Sequence, residues 1–162
     1  MEKQKIILSD NITEALEGAI AELKHDKLFM LTDETTLQLC APVVKSIADR
    51  AGMITIPAGD TNKGLESMSH VWGELQRMGA TRHSLMVNLG GGMVTDLGGF
   101  AASTFKRGIK FINIPTTLLS MVDASVGGKT GVNFGGLKNE IGVFNNADYV
   151  ILDTVFLKTM DD

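Results

Sequence analysis

The stretch LMVNLGGGMVTDLGGF, residues 85–100, decides how the rest of this chain folds. LMVNL (85–89) is an apolar run of strand length, and a helix is predicted to start near Val94. Three consecutive glycines stand between the two. Glycines there let backbone amides approach an anion at the positive end of a helix. The stretch is not the dinucleotide fingerprint G-x-G-x-x-G, which needs glycine where Thr95 stands. A tight strand-to-helix turn needs fewer than three glycines, so a phosphate-binding loop is the favoured reading and a plain turn the alternative. Asp96 is expected in the first turn of that helix, either to bond a ribose hydroxyl or simply as a first-turn acid.

Working outward, the amino-terminal side alternates strand and helix. IILS (6–9), LFMLT (28–32) and MITIP (53–57) read as strands. Ile12, Ala15, Leu16, Ala19, Ile20 and Leu23 recur on one helical face, with Asp10 or Asn11 placed to cap it. Residues 35–50 read as a helix through Leu37, Cys40, Val43, Val44 and Ile47, which Pro42 must kink or delay. Leu65, Met68, Val71, Trp72, Leu75 and Met78 form a further amphipathic helix, and its methionines are core. Alternation of this kind implies an α/β domain with a parallel sheet and helices on its faces. Ligands of such sheets bind beyond the carboxyl ends of strands. Three loops qualify: TDE (32–34), PAGDTNK (57–63) and GGGMVTD (90–96).

The carboxyl-terminal side has another texture. FINIP (111–115) is a strand followed by Thr116 and Thr117, then LLSMVDAS (118–125) and the glycine-laden GGKTGVNFGGLKNEIGVF (127–144). YVILD (149–153) is one more strand, and VFLKTMDD (155–162) looks like the start of a helix. Twelve of the 18 glycines fall between Gly90 and Gly142, so this half is built around loops.

Several function classes drop out. A net charge of −4 leaves no basic footprint for nucleic acid or an anionic membrane. No apolar run reaches the roughly 18 residues of a spanning helix. Cys40 is alone, which suits a reducing cytoplasm. GGKT (127–130) is not a triphosphate loop, because that pattern needs glycine where Asp123 stands. Lys129 could still meet an anion as a point charge, and Lys138–Asn139 divides evenly between loop surface and ligand contact. His25, His70 and His83 lack metal-ligand spacing, and no nucleophile elbow is present.

GGGMVTDLGGFAASTFKRG, PTTLLSMVDASVGGKTGVNF and LKNEIGVF together resemble the 3-dehydroquinate synthase family, among the sugar-phosphate cyclases. The likeness runs without a gap over 85–160 and extends more weakly to TDE and PAGDTNK. It implies that residues 1–162 are an NAD-binding domain of Rossmann-like α/β form, a mostly parallel sheet with helices on both faces, which in that family precedes a mostly helical, metal-binding one. It places Asp33, Asp60 and Lys63 around the adenosine of NAD. Gly91, Gly92, Met93 and Asp96 hold pyrophosphate and nicotinamide ribose, beside Thr116, Thr117 and Leu119; Lys138 also reaches the cofactor. Phe156 and Thr159 close on the cofactor. Asp123, Lys129, Lys138 and Asn139 face the substrate, and Arg107 reaches substrate phosphate in the neighbouring subunit of a homodimer. Asp60 stands where the family usually has glutamate, so its contact must reach further or pass through water.

The implied reaction converts 3-deoxy-arabino-heptulosonate 7-phosphate to 3-dehydroquinate and phosphate, in the shikimate pathway, with NAD and a divalent metal (zinc or cobalt). The family's metal ligands, a glutamate and two histidines, have no match before Asp162. The expectation is therefore half an enzyme that binds NAD weakly and is inactive alone. The alternatives are another NAD-dependent sugar-phosphate cyclase, a nucleotide-binding module without chemistry, and a glycerol-dehydrogenase-like oxidoreductase, which should lack the Asp123-to-Asn139 block.

Overall fold

The structure is a computed structural model that describes residues 4–159. Six strands form one parallel sheet: β1 (Lys5–Leu8), β2 (Leu28–Asp33), β3 (Gly52–Ile56), β4 (Leu85–Gly90), β5 (Lys110–Pro115) and, after a hairpin, β8 (Tyr149–Leu152). Their order is β1-β8-β5-β4-β2-β3. Every residue of β4 is buried, as expected for a central strand covered on both faces. From β2 the chain steps outward to β3, whereas from β4 it steps the other way to β5 and β8. The connections therefore diverge between β2 and β4, and the crevice where such sheets take ligands opens there.

Alternation along the strands feeds two apolar layers. Leu85, Val87, Leu89, Ile112, Ile114 and Ile151 face α1 (Ile12–Glu22), α2 (Glu34–Leu39) and α3 (Lys45–Ala48) through Leu16, Ile20, Cys40, Val44 and Ile47. Met86, Phe111 and Val150 face α4 (Leu65–Arg77) and α5 (Gly92–Thr104) through Met68, Val71, Leu75, Val94, Leu97 and Ala101. Asn11 caps α1, its side chain accepting from the Glu14 amide. Thr117 begins α6 (Leu118–Val126) with a reciprocal capping box to Ser120.

Four sequence expectations are revised. Residues 35–50 are not one helix: Pro42, with no amide hydrogen, divides them into α2, a 3-10 turn at Ala41–Val44, and α3. α5 begins at Gly92, earlier than Val94, which moves Asp96 beyond the first turn. Thr154–Thr159 forms a 3-10 helix, and the last three residues of the expected terminal helix lie outside the described ones. The glycine-laden segment contains an antiparallel hairpin, β6 (Val132–Phe134) and β7 (Leu137–Ile141), turning at Gly135–Gly136. Both glycines have positive φ, 61° and 79°, as a two-residue hairpin turn matching strand twist requires.

Candidate functional site

The glycine loop after β4 works by close approach and open space. A side chain at Gly90 would meet Val94 at 2.6 Å, so only glycine lets β4 turn so tightly into α5. At Gly92 nothing lies within 4 Å of such an atom, leaving the start of α5 open. Gly91 precedes the helix without any side-chain cap, so its first amides are left for a ligand or water. Thr117 stands beside Gly91, and the Thr116 amide donates to the Gly90 carbonyl at 2.9 Å.

Lys63 ties three loops together. It is 4% exposed, and its Nζ donates to Asp96 Oδ2 at 2.8 Å and to Asn139 Oδ1 at 2.5 Å. Asn133 of β6 completes the arrangement. Its Nδ2 donates to Asp60 Oδ2 at 3.2 Å, and its Oδ1 accepts from the Asn139 amide at 2.9 Å. Lys138 Nζ lies 3.8 Å from Asp60 Oδ2, an exposed and therefore weak pair. Sequence reading missed Asn133; the Gly135–Gly136 turn between VNF and LKNEI was the signal that would have found it.

Beyond this knot a cleft of about 740 Å³ is lined by Gly92, Asp96, Asp123, Lys129 and Asn139, and also by Asn113, Thr130 and Glu140. A separate hollow of about 500 Å³ near Lys27 and Gly52 lies at the amino-terminal edge of the sheet, away from every loop above. Burial holds the Asp96 carboxyl above its ordinary range, with Asp123 and Asp60 adding like charge and Lys63 pulling it back. A carboxyl raised on folding contributes stability that is present below its unfolded pKa and is lost as pH rises through the folded one. Asp96→Asn is therefore expected to flatten the stability profile upward from 3.8. Urea midpoints across that range check this, and parallel curves for variant and parent would contradict it.

The other site residues divide. Asp33 spends Oδ1 on the Thr36 amide at 2.8 Å, capping α2 at the carboxyl end of β2. Leu119 is 72% exposed on α6, a position free to meet a ligand or partner. Phe156 is fully buried in the layer with Cys40 and Ile114, on the sheet face away from α5. Thr159 Oγ1 lies 3.6 Å from Cys40 Sγ, whose thiol burial pushes up. Arg107 is exposed beyond the far end of α5, about 20 Å along a 13-residue helix from Gly92.

Residues 53–162 match the sequence profile described as 3-dehydroquinate synthase N-terminal. The chain belongs to the 3-dehydroquinate synthase family. It is 50% identical to 3-dehydroquinate synthase of Parabacteroides distasonis over 99% of this chain and 46% of the relative. A Streptococcus pyogenes serotype M3 3-dehydroquinate synthase is 40% identical over 96% of this chain and 44% of its own length. The chain thus spans about half the length of the curated relatives it matches.

Among solved structures, the 2-epi-5-epi-valiolone synthase of Streptomyces hygroscopicus subsp. jinggangensis, with NAD+ and Zn2+ bound, is 29% identical with a TM-score of 0.87, over 99% of this chain and 46% of that one. A 2-deoxy-scyllo-inosose synthase complexed with carbaglucose-6-phosphate, NAD+ and Co2+ is 25% identical with a TM-score of 0.84, over 93% and 43%. The glycerol dehydrogenase of Schizosaccharomyces pombe, 16% identical with a TM-score of 0.69, shares the fold alone. Among the described residues, no group of three or more His, Cys, Asp or Glu side chains could hold a metal ion, and no helix is long and apolar enough to cross a membrane.

Proposed function

We propose that this chain is the NAD-binding half of a 3-dehydroquinate synthase, acting on 3-deoxy-arabino-heptulosonate 7-phosphate. The observation that carries the reading is continuity: the uncapped, open start of α5 leads directly into a cleft lined by Asp96, Asp123, Lys129 and Asn139. Pyrophosphate takes the amides of Gly91, Gly92 and Met93, where the helix end favours negative charge. Asp33, Asp60 and Lys63 flank the adenosine side from the ends of β2 and β3. Thr116, Thr117 and Leu119 wall the nicotinamide ribose. Phe156 and Thr159 close on the cofactor from the segment after β8. NAD, when bound, supplies a hydride acceptor that returns its hydride later in the reaction.

Lys129, Lys138 and Asn139 orient an anionic polyol, with Lys63 holding Asn139 in place. Asp123 accepts hydrogen bonds from its hydroxyls. Among the described residues no group of His, Cys, Asp or Glu side chains fits a divalent metal, so no step is assigned to one, and no turnover by this chain alone is expected. Arg107, on a face remote from the cleft, suits a contact with the second subunit of a homodimer. The parts shared with the two cyclase structures keep another phosphorylated sugar in view, but 50% identity to a named 3-dehydroquinate synthase against 29% favours the first substrate.

Calorimetric titration of the 162-residue chain with NAD tests the reading. Saturable heat below millimolar NAD is expected. No heat at millimolar cofactor would overturn it, and turnover of the heptulosonate by this chain with NAD and zinc would overturn the expectation that it is inactive alone.

A further inference from the structure

Two asparagines sit side by side inside the sheet, and neither belongs to the residues given roles above. Asn88 on β4 and Asn113 on β5 are register partners. Asn88 is fully buried, and its Nδ2 donates to Asn113 Oδ1 at 3.0 Å. Asn88 Oδ1 has no hydrogen-bond partner. It lies against Gly98 of α5, 2.2 Å from where a Cβ would stand, so the helix approaches this closely only because residue 98 is glycine. A leucine at position 88 would suit an apolar layer without leaving a polar atom unpaired.

The pairing fixes which way both amides point. Turning Asn88 over would aim its NH2 at the Gly98 carbon and take its donor away from Asn113. An under-satisfied carbonyl oxygen is the more tolerable orphan, and a C–H group can face it. With Asn113 Oδ1 occupied by Asn88, the Asn113 NH2 is left over. Asn113 lines the cleft, and its Nδ2 makes no hydrogen bond among the described residues. The cleft thus has a neutral donor in its lining, oriented by Asn88, in company with the carboxylates of Asp96, Asp123 and Glu140.

We propose that Asn113 is a ligand contact: its amide donates to the carboxamide oxygen of the nicotinamide of NAD, with Asn88 as the positioning residue. This rests on the NAD reading above. Three carboxylates and the Lys129 ammonium line the cleft with this neutral donor, a mixture that suits a group carrying both acceptor and donor. A carboxamide offers its oxygen to Asn113 and its NH2 to a carboxylate of the wall, while Gly92, which lines the same cleft, serves the anionic pyrophosphate.

The test compares NAD with ADP-ribose, which lacks nicotinamide, by calorimetry on this chain. Asn113→Ala is expected to weaken NAD about tenfold, the loss of one well-placed hydrogen bond, and to leave ADP-ribose within about twofold. Asn113→Asp, which keeps the shape and removes the donor, should do the same. Asn88→Ala should weaken NAD about threefold by freeing the Asn113 amide to turn, again without touching ADP-ribose. Unchanged NAD affinity in both Asn113 variants, or equal losses for NAD and ADP-ribose, would overturn the proposal. So would a parent chain that binds the two ligands equally tightly. A parent that binds neither overturns the NAD reading itself, and this proposal with it.

Discussion

Lys63→Met is expected to loosen the fold and remove dinucleotide binding in one step. The Lys63 ammonium is buried and has two partners, Asp96 and Asn139, contributed by α5 and β7. Methionine fills the space of the stem but leaves the Asp96 carboxylate facing Asp60 and Asp123 without a counter-charge. Removing one partner of a fully buried ion pair costs about 3–5 kcal/mol. The Asp96 side chain is 38% exposed, so solvent shields part of that loss and about 1–3 kcal/mol is expected. Urea denaturation at neutral pH reads this directly. NAD affinity should fall by more than about tenfold, because both Asp96 and Asn139 lose the group that holds them. A variant within about 0.5 kcal/mol of the parent and with unchanged NAD affinity would show that Lys63 is only a buried stem.

Gly98→Ala is expected to destabilise by about 1–3 kcal/mol, the usual range for forcing an extra methyl into a packed interior. The clash is with one side chain, Asn88, whose Oδ1, Cγ and Nδ2 all lie within 3 Å of the new atom. Alanine is the better helix former by about 1 kcal/mol, so the steric term must exceed that gain to show at all. Because the obstruction is a single residue, Asn88→Ala should rescue the variant. The double mutant is expected to recover most of the loss, with a coupling of about 1 kcal/mol or more. Strict additivity would mean that α5 shifts as a body and that the close approach to Asn88 is incidental. Thermal and urea melts of the parent, both single variants and the double decide between these outcomes.

The two experiments probe features that were unequally visible in the sequence. The Lys63 position was marked by its loop, since PAGDTNK follows a strand end where ligands of parallel sheets bind. Its burial and its partners were not, because Asp96 and Asn139 lie 33 and 76 residues away along the chain. Asn88 carried a signal that went unused: a polar residue inside the apolar run LMVNL, with a second in FINIP. Neither run says that the two strands are neighbours in register. Phe156 shows the opposite case. The resemblance implied a place beside the cofactor for it, while its burial in the apolar layer on the face of the sheet away from α5 came only with the packed fold.

What the sequence determined by itself is what depends on neighbours within about one turn or one strand. Apolar periodicity set the order of strands and helices, Asn11 and Thr117 set helix starts, and three glycines marked the tight, open turn from β4 into α5. Pro42 broke its helix for a reason local to its own ring. The tertiary structure decided which loops meet. The fold brings the loop after β3, the first turns of α5 and the middle of β7 together beyond the carboxyl ends of the central strands. There the Lys63 charge is balanced by Asp96, and the Asn88 and Asn113 amides pair across two strands. Such pairings are strong only where water is excluded, and exclusion is a property of the packed layers, not of any single segment.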